Sequence, residues 1–175
     1  MSDIPVTDTP PSIFVLDANV FISAKNSYYP FDIVPAFWNG LIRFSAEGRV
    51  HSIDRIKKQL EDGNDELADW IKAGNMAEAF ANSGTSEVVK AYEEIVNWVQ
   101  RNSQFTPPAK EAFATDPDGW LVAYVKASHG TVLVTQEVYK PGMKWKVPIP
   151  NICNAFGIKY TDTFAMLREL GFNLK

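Results

Sequence analysis

The chain has 175 residues, of which 46% are hydrophobic and 22% charged, and its formal net charge is −4. These values are typical of one globular domain with a hydrophobic core. They exclude a bulk positive field, so any contact with nucleic acid must come from a local patch. The single cysteine, Cys153, excludes an intramolecular disulfide and a zinc site built on several cysteines. It suits a reducing cytoplasm, where we expect the protein to act.

No targeting or membrane segment is evident. No apolar run reaches the roughly 18 residues that a membrane span needs. The first residues, "MSDIPVTDTPPS", lack the basic and apolar regions of a signal peptide. We therefore expect no membrane contact.

Apolar runs, helical spacing and turn residues predict the elements in chain order. They are a loose leader over 1–12, a strand over 13–17, a helix over 18–25, a helix over 35–47 that Pro35 begins, a strand in "RVHSID", a helix over 56–62, a helix capped by Asn64, a helix capped by Ser86, a short helix in "TPPAKEAFA", a helix in "DGWLVAYVKASHG", a strand in "TVLVT", a short helix in "KVPIPNICNAFG", a strand in "IKY" and a final helix in "TDTFAMLRELG".

This order predicts the fold class. Strands that are apolar on both faces and alternate with helices favour a parallel sheet covered by helices, an α/β fold. We expect a single domain over 13–175, with the helices of 64–114 forming an inserted helical lobe. Four tryptophans at helical apolar positions are predicted to be core: Trp38, Trp70, Trp98 and Trp120.

Acidic residues follow the predicted strands. Asp17 ends the first strand, Glu137 follows "TVLVT", and Asp118 opens the helix before that strand. Ligands of open parallel sheets bind at the carboxyl ends of the strands, so these side chains are expected to meet there. Carboxylates gathered in one cleft repel each other unless a cation neutralises them. Oxygen ligands of this kind suit Mg²⁺ or Mn²⁺, which would activate water and steady a phosphoryl charge.

Four segments carry a resemblance to a known family: "FVLDANVFI", "VHSIDRIKKQLEDG", "DGWLVAYVKASHGTVLVTQE" and "IPNICNAFGIKY". In this order the chain resembles the PIN-domain ribonucleases, which include VapC-like toxins of toxin–antitoxin modules. The aromatic "FW", "DELADW" and "WLVAY" elements point to one branch of PIN-like proteins. The resemblance implies a three-layer sandwich, hydrolysis of RNA with Mg²⁺ or Mn²⁺, and an antitoxin that covers the cleft. A homodimer is also compatible with the resemblance.

The resemblance also assigns roles to individual residues. Asp17, Asp118 and Glu137 match the first, third and fourth family acids. Asn19 and Thr135 match polar positions beside the metal, and Asp116 is expected to be a solvated neighbour.

The second family acid is missing. Relatives have Glu before Leu in the helix after the second strand, whereas this chain has Gln59. Gln59 could ligate through its amide oxygen, or Asp62 could replace it, because Asp62 lies three residues on and shares its helix face. Glu61 points elsewhere on the helix. An alternative explanation for Gln59 is that it replaces the Glu in an engineered, inactive form of a toxin.

Each acid also has a structural alternative. Asp17 and Asp118 could be helix N-caps, and Glu137 a loop carboxylate. Cations near the expected cleft are the candidates for contact with RNA phosphates. They are Arg55, Lys57, Lys58, Lys140, Lys144 and Lys146, the last three in the aromatic segment "YKPGMKWK". That segment could equally be a solvated loop.

The leading hypothesis is thus a metal-dependent endoribonuclease, a toxin of a toxin–antitoxin module, with single-stranded or structured RNA as its substrate. Gln59 motivates an alternative, a degenerate PIN domain that binds RNA or a protein partner without cleavage. A phosphatase with Asp17 as nucleophile is a third hypothesis, but Asn19 stands where its general acid would be needed.

Overall fold

The computed structural model describes residues 10–174, so the predicted leader over 1–12 lies mostly outside the described residues. The elements are β1 (Ile13–Leu16), α1 (Ala18–Ser23), α2 (Pro35–Ala46), β2 (Val50–Ile53), α3 (Asp54–Glu61), α4 (Glu66–Lys72), β3 (Phe80–Ala81), α5 (Ser86–Arg101), α6 (Pro107–Thr115), α7 (Asp118–Ala127), β4 (Thr131–Val134), α8 (Ile149–Phe156), β5 (Tyr160–Thr161) and α9 (Thr163–Glu169). A π-helical turn (Ala24–Tyr28) continues α1, and a 3₁₀ turn (Ala77–Ala79) precedes β3.

The five strands of the described chain form one parallel sheet in the order β3-β2-β1-β4-β5. Helices flank the sheet. The predicted α/β class with a central parallel sheet is confirmed, and the architecture is consistent with a three-layer sandwich. The central strand β1 is buried on both faces, as the apolar run Phe14–Leu16 requires.

The order in which successive strands are added to the sheet reverses at β1. The chain leaves β1 toward β2 on one side and later returns to β4 on the other. Leu16 pairs with Val134 in this junction, so both strands end at the same level. In open parallel sheets such a switch point leaves a crevice beyond the carboxyl ends of the strands. The fold thus places Asp17 and Thr135, the residues that follow β1 and β4, side by side.

The predicted helical lobe over 64–114 is not purely helical. β3 lies inside this segment, and its residues Phe80 and Ala81 pair with Ser52 and Ile53 of β2. β3 was not predicted because a strand of two residues is too short to show any periodicity. The long helix α5 packs along α7, so this segment covers the α/β core.

Two predicted helix caps are wrong by one residue. Asp65, not Asn64, caps α4, because its Oδ1 accepts a hydrogen bond from the Ala68 N–H at 3.0 Å. Thr85, not Ser86, is the N-cap residue of α5, and its side chain makes no capping hydrogen bond. Cap chemistry permits either neighbour in both pairs, so only the backbone settles the choice.

No helix among residues 10–174 is both long enough and apolar enough to cross a membrane.

Candidate active site

Asp17 lies directly after β1 and is only 1% exposed. Its N–H donates to the Val134 carbonyl at 2.9 Å, which extends the β1–β4 ladder by one bond. Thr135 Oγ1 donates to Asp17 Oδ2 at 3.0 Å. The backbone N–H groups of Ala18 and Asn19 favour the charged carboxylate, but the Asp17 side chain makes no helix-capping hydrogen bond. Asp17 stands at the N-cap position of α1 without acting as a side-chain cap.

The second oxygen of this carboxylate has no partner. Within the described residues, Asp17 Oδ1 is one of two buried side-chain polar atoms that lack a hydrogen bond. Burial raises the pKa of Asp17 to about 6, although the Thr135 hydrogen bond opposes the increase and the Glu137 charge adds to it. An unpaired carboxylate oxygen in an apolar interior costs several kcal/mol, so it calls for a ligand.

Asp118 is the first residue of α7, and its own side chain does not cap the helix, since Pro117 is the N-cap residue. Its N–H donates to Asp116 Oδ1 at 2.8 Å. Burial is the largest cause that raises the pKa of Asp118, to about 9. The charges of Asp17, Asp116 and Glu137 raise it further. These acids are therefore close enough for their charges to act on one another.

Glu137 is 14% exposed at its side chain and is held from two sides. Its Oε1 accepts from Lys146 Nζ, and its Oε2 accepts from the Ile149 N–H at 2.9 Å. Its own N–H donates to Thr135 Oγ1 at 3.1 Å. Thr135 thus connects Glu137 to Asp17 through one hydroxyl, and Glu137 is no free loop carboxylate.

The donor chemistry of this acidic pocket, which we define as Asp17, Asp118 and Glu137 with Thr135, fits a hard divalent cation. Carboxylate and hydroxyl oxygens are the ligands that Mg²⁺ and Mn²⁺ prefer. The unpaired Asp17 Oδ1 would gain a partner, and the repulsion that raises the pKa of Asp118 would be neutralised.

The pocket does not present three ready ligands. In the part of the chain that the structure describes, no three Asp, Glu, His or Cys side chains are close enough together to hold a metal ion. Asp17 and Asp118 are the two carboxylates that remain, because Glu137 is turned to Lys146 and Ile149. One or two carboxylates with several waters are the usual protein contribution to a Mg²⁺ site, so two suffice.

Gln59 and Asp62 lie outside the acidic pocket. Gln59 on α3 and Asp62 directly after it are both exposed, and Asp62 pairs with Lys58 at 3.1 Å. Within the described residues, no hydrogen bond joins the Gln59 side chain to the three acids. They face a neighbouring groove with a volume of about 400 Å³. The structure places neither side chain where the resemblance would need a second acid, and it assigns no ligand role to Asp62.

The groove contains a stack of three planar groups. The Arg55 guanidinium lies 3.9 Å above the Trp120 ring, whose indole is stacked on Tyr92 at 3.8 Å. Arg55 Nε also donates to Ser83 Oγ at 3.1 Å. Trp120 was expected to be core, but it is only half-buried and lines the groove. Its helical spacing with apolar neighbours predicted only a core position and not a place in the wall of the groove.

The predicted cations have different positions. Arg55 and Lys58 line the groove, whereas Lys57 pairs with Glu61 at 3.5 Å and does not line it. Lys140 and Lys144 are exposed in the loop over 138–146.

That loop is anchored at several points. The Lys140 N–H donates to Asn151 Oδ1 at 3.0 Å, and the Lys144 carbonyl accepts from the Thr106 N–H at 3.0 Å. Its Trp145 is 74% exposed and lines a cavity of about 320 Å³ together with Asp118 and Lys146. These hydrogen bonds fix the loop at the rim of the cavity beside Asp118.

Sequence reasoning missed three features of the site. The Ile149 N–H that holds Glu137 carries no side-chain signal. The Arg55–Trp120 stack joins residues 65 positions apart, so no local pattern could reveal it. The ion pair between Lys146 and Glu137 was not predicted, since Lys146 was considered only as a contact for RNA.

Fold and site together define a parallel α/β domain with acidic residues at the topological switch point. The chain belongs to the family described as a domain of unknown function, DUF4411, which it matches over residues 14–174. No curated protein and no solved structure matches it.

Proposed function

We propose that the protein is a metal-dependent endoribonuclease and that Asp17 and Asp118 hold Mg²⁺ or Mn²⁺. The observation that carries this proposal is the buried Asp17 carboxylate, whose Oδ1 lacks a partner within the described residues at the end of the central strand. Most buried side-chain polar atoms have a hydrogen-bond partner, so an oxygen without one at the end of a strand favours a bound ligand. When bound, a divalent ion supplies activation of water and neutralisation of phosphate charge.

The residues around the ion position have distinct tasks. Thr135 fixes the orientation of the Asp17 carboxylate through its hydroxyl. Asp116 accepts from the Asp118 N–H and so fixes the first turn of α7, where Asp118 stands. A site that keeps its ligands in place needs this kind of support, because small displacements of a ligand weaken metal binding.

The surroundings favour RNA as the substrate. The cavity at Asp118 and the groove at Arg55 share Asp116 in their walls, so they adjoin each other. Their rims carry cations (Arg55, Lys58, Lys146) and the planar side chains of Trp120 and Trp145. Single-stranded RNA is bound by such mixtures, since cations contact phosphates and planar groups stack on unpaired bases.

The test is cleavage of single-stranded RNA with Mg²⁺ or Mn²⁺ and with EDTA. We expect the natural sequence to cut only with metal, and Asp17→Asn and Asp118→Asn to lose about 100-fold or more. Asp69→Asn, which changes an exposed acid of α4, is the matched control and should keep full activity. Equal cleavage by all four proteins would contradict the proposal.

A second candidate is an RNA-binding domain that does not cut. It is favoured by the position of Gln59 outside the acidic pocket and by the lack of three gathered ligands among the described residues. The same assay separates the two functions: RNA binding without cleavage in either metal, in all four proteins, would select the second.

We also propose the biological role that the resemblance to VapC-like toxins implies. The protein would act in the cytoplasm, and an antitoxin would cover the acidic pocket. The unpaired, buried Cys153 thiol suits that compartment. Purification together with the product of the neighbouring gene tests this role, and the expected result is a complex that blocks RNA cleavage.

A further inference from the structure

Lys146 is the cation of the acidic pocket. Its Nζ donates to Glu137 Oε1, and its side chain lines the same cavity as Asp118. Burial alone would lower the pKa of Lys146, but the bond to Glu137 and the charges of Asp118 and Asp17 raise it above the ordinary value. The ammonium thus pairs with Glu137 and shares a cavity with Asp118.

Among the described residues, no other cation pairs with an acid of the pocket. Among residues 10–174, Lys146 alone forms an ion pair with Asp17, Asp118 or Glu137. Lys58 and Lys57 pair with acids of their own helix. Lys144 is exposed two residues away on the same loop, and it forms no ion pair within these residues.

The position of Lys146 explains why Glu137 is not available as a ligand. The Ile149 N–H occupies Oε2 of Glu137, and Lys146 occupies Oε1. A divalent cation at Asp17 and Asp118 would repel the ammonium at short range. The Lys146 side chain is 54% exposed, so it can turn into solvent at little cost.

We infer that Lys146 is a resident counter-ion of the acidic pocket and that a divalent cation displaces it, which frees Glu137 Oε1 to become the third carboxylate ligand. This inference rests on the proposed metal site. It makes Lys146 a positioning residue that competes with the metal, and it reconciles three nearby acids with the lack of three gathered ligands in the described chain.

The experiment is calorimetric titration of the chelator-treated protein with Mn²⁺. We expect Lys146→Met to bind Mn²⁺ about tenfold more tightly than the natural sequence, since the competing cation is gone. Lys146→Gln, a second variant, should behave in the same way. Lys144→Met removes one charge from the same loop without touching Glu137, and we expect less than a twofold change.

A double-variant cycle tests the route through Glu137. In the Glu137→Gln background, Lys146→Met should change the Mn²⁺ affinity less than twofold, because the ligand that Lys146 blocks is already lost. A second readout is thermal unfolding, in which Mn²⁺ should raise the melting temperature of Lys146→Met more than that of the natural sequence.

The outcomes separate this inference from the proposed function. Equal Mn²⁺ affinity for the natural sequence and both Lys146 variants would overturn the inference and leave the metal site standing. An equal gain in Lys146→Met and Lys144→Met would also overturn it, since a general charge effect would then explain both. If no variant binds Mn²⁺, the metal site and the inference both fall.

Discussion

Among the described residues, Asp17 is the one acidic residue that is buried. The sequence leaves two roles open for it, helix cap or site acid, and the capping role requires its oxygen to accept a backbone N–H of the first turn. The side chain accepts from Thr135 instead, 118 positions away, and makes no capping bond. The hydrogen bond from Thr135 and the unpaired oxygen therefore favour the site role over the capping role.

Asp118 should make the metal-free protein less stable as the pH rises. Its pKa is about 9 in the folded chain, mainly because of burial, against an ordinary value of 3.8. Between these values the folded state keeps a proton that the unfolded state has released, so the free energy of unfolding falls with increasing pH. Asp17 adds to the fall up to about pH 6.

Asp118→Asn removes this penalty, because the amide cannot ionise. In EDTA at pH 8 we expect a melting temperature a few degrees above that of the natural sequence, about 2–4 °C for each kcal/mol. The gain should vanish below about pH 3, where the carboxyl is mostly protonated in both states. Asp69→Asn serves as the control. A gain at pH 3 equal to that at pH 8 would show that the ionisation of Asp118 is not its cause.

At the scale of elements, α3 and α7 together form the groove beside the acidic pocket. Arg55 and Lys58 of α3 face Trp120 of α7 across it. Trp120 is supported from behind by Tyr92 of α5, which lies parallel to it at 9°. The stack therefore presents a fixed guanidinium plane to the groove, and such a plane can accept both a phosphate and an unpaired base.

Arg55→Met should lower the affinity for single-stranded RNA about five- to tenfold, by loss of one phosphate or stacking contact. The Mn²⁺ affinity should stay unchanged, because Arg55 belongs to the groove and not to the acidic pocket. Arg43→Met is a matched control, since Arg43 also covers an aromatic ring, Phe44, but on α2. Fluorescence anisotropy with labelled RNA measures the effect, and a loss as small as that of Arg43→Met would rule out the groove as a binding surface.

At the scale of the whole molecule, the architecture could be predicted because its signals are local. The central strands β1 and β4 are short apolar runs, and each long helix shows its spacing, so the parallel sheet and its flanking helices follow from the sequence. β3 escaped prediction because Phe80 and Ala81 form a strand only by pairing with β2. The caps of α4 and α5 were missed by one residue for a similar reason, since only tertiary packing selects between adjacent polar residues.

The candidate site was predicted in part. Asp17 and Glu137 follow from the rule that parallel strands end at a common edge, and Asp118 begins the helix that leads into β4. Thr135 connects Asp17 and Glu137 by hydrogen bonds. The partners of Glu137 did not follow, because Lys146 and the Ile149 N–H reach it through the path of a loop. Gln59 was expected at the pocket from the family resemblance, and Asp62 because it shares the helix face of Gln59. Helix spacing gives the face of a helix but not its distance from another element.

The most direct measurement is anomalous diffraction from crystals grown with Mn²⁺. We predict a peak within bonding distance of Asp17 Oδ1 and an Asp118 carboxylate oxygen, and its absence in Asp17→Asn crystals. A structure from such crystals with no anomalous peak in the acidic pocket, in which Asp17 Oδ1 contacts only protein or water, would contradict the proposed metal site.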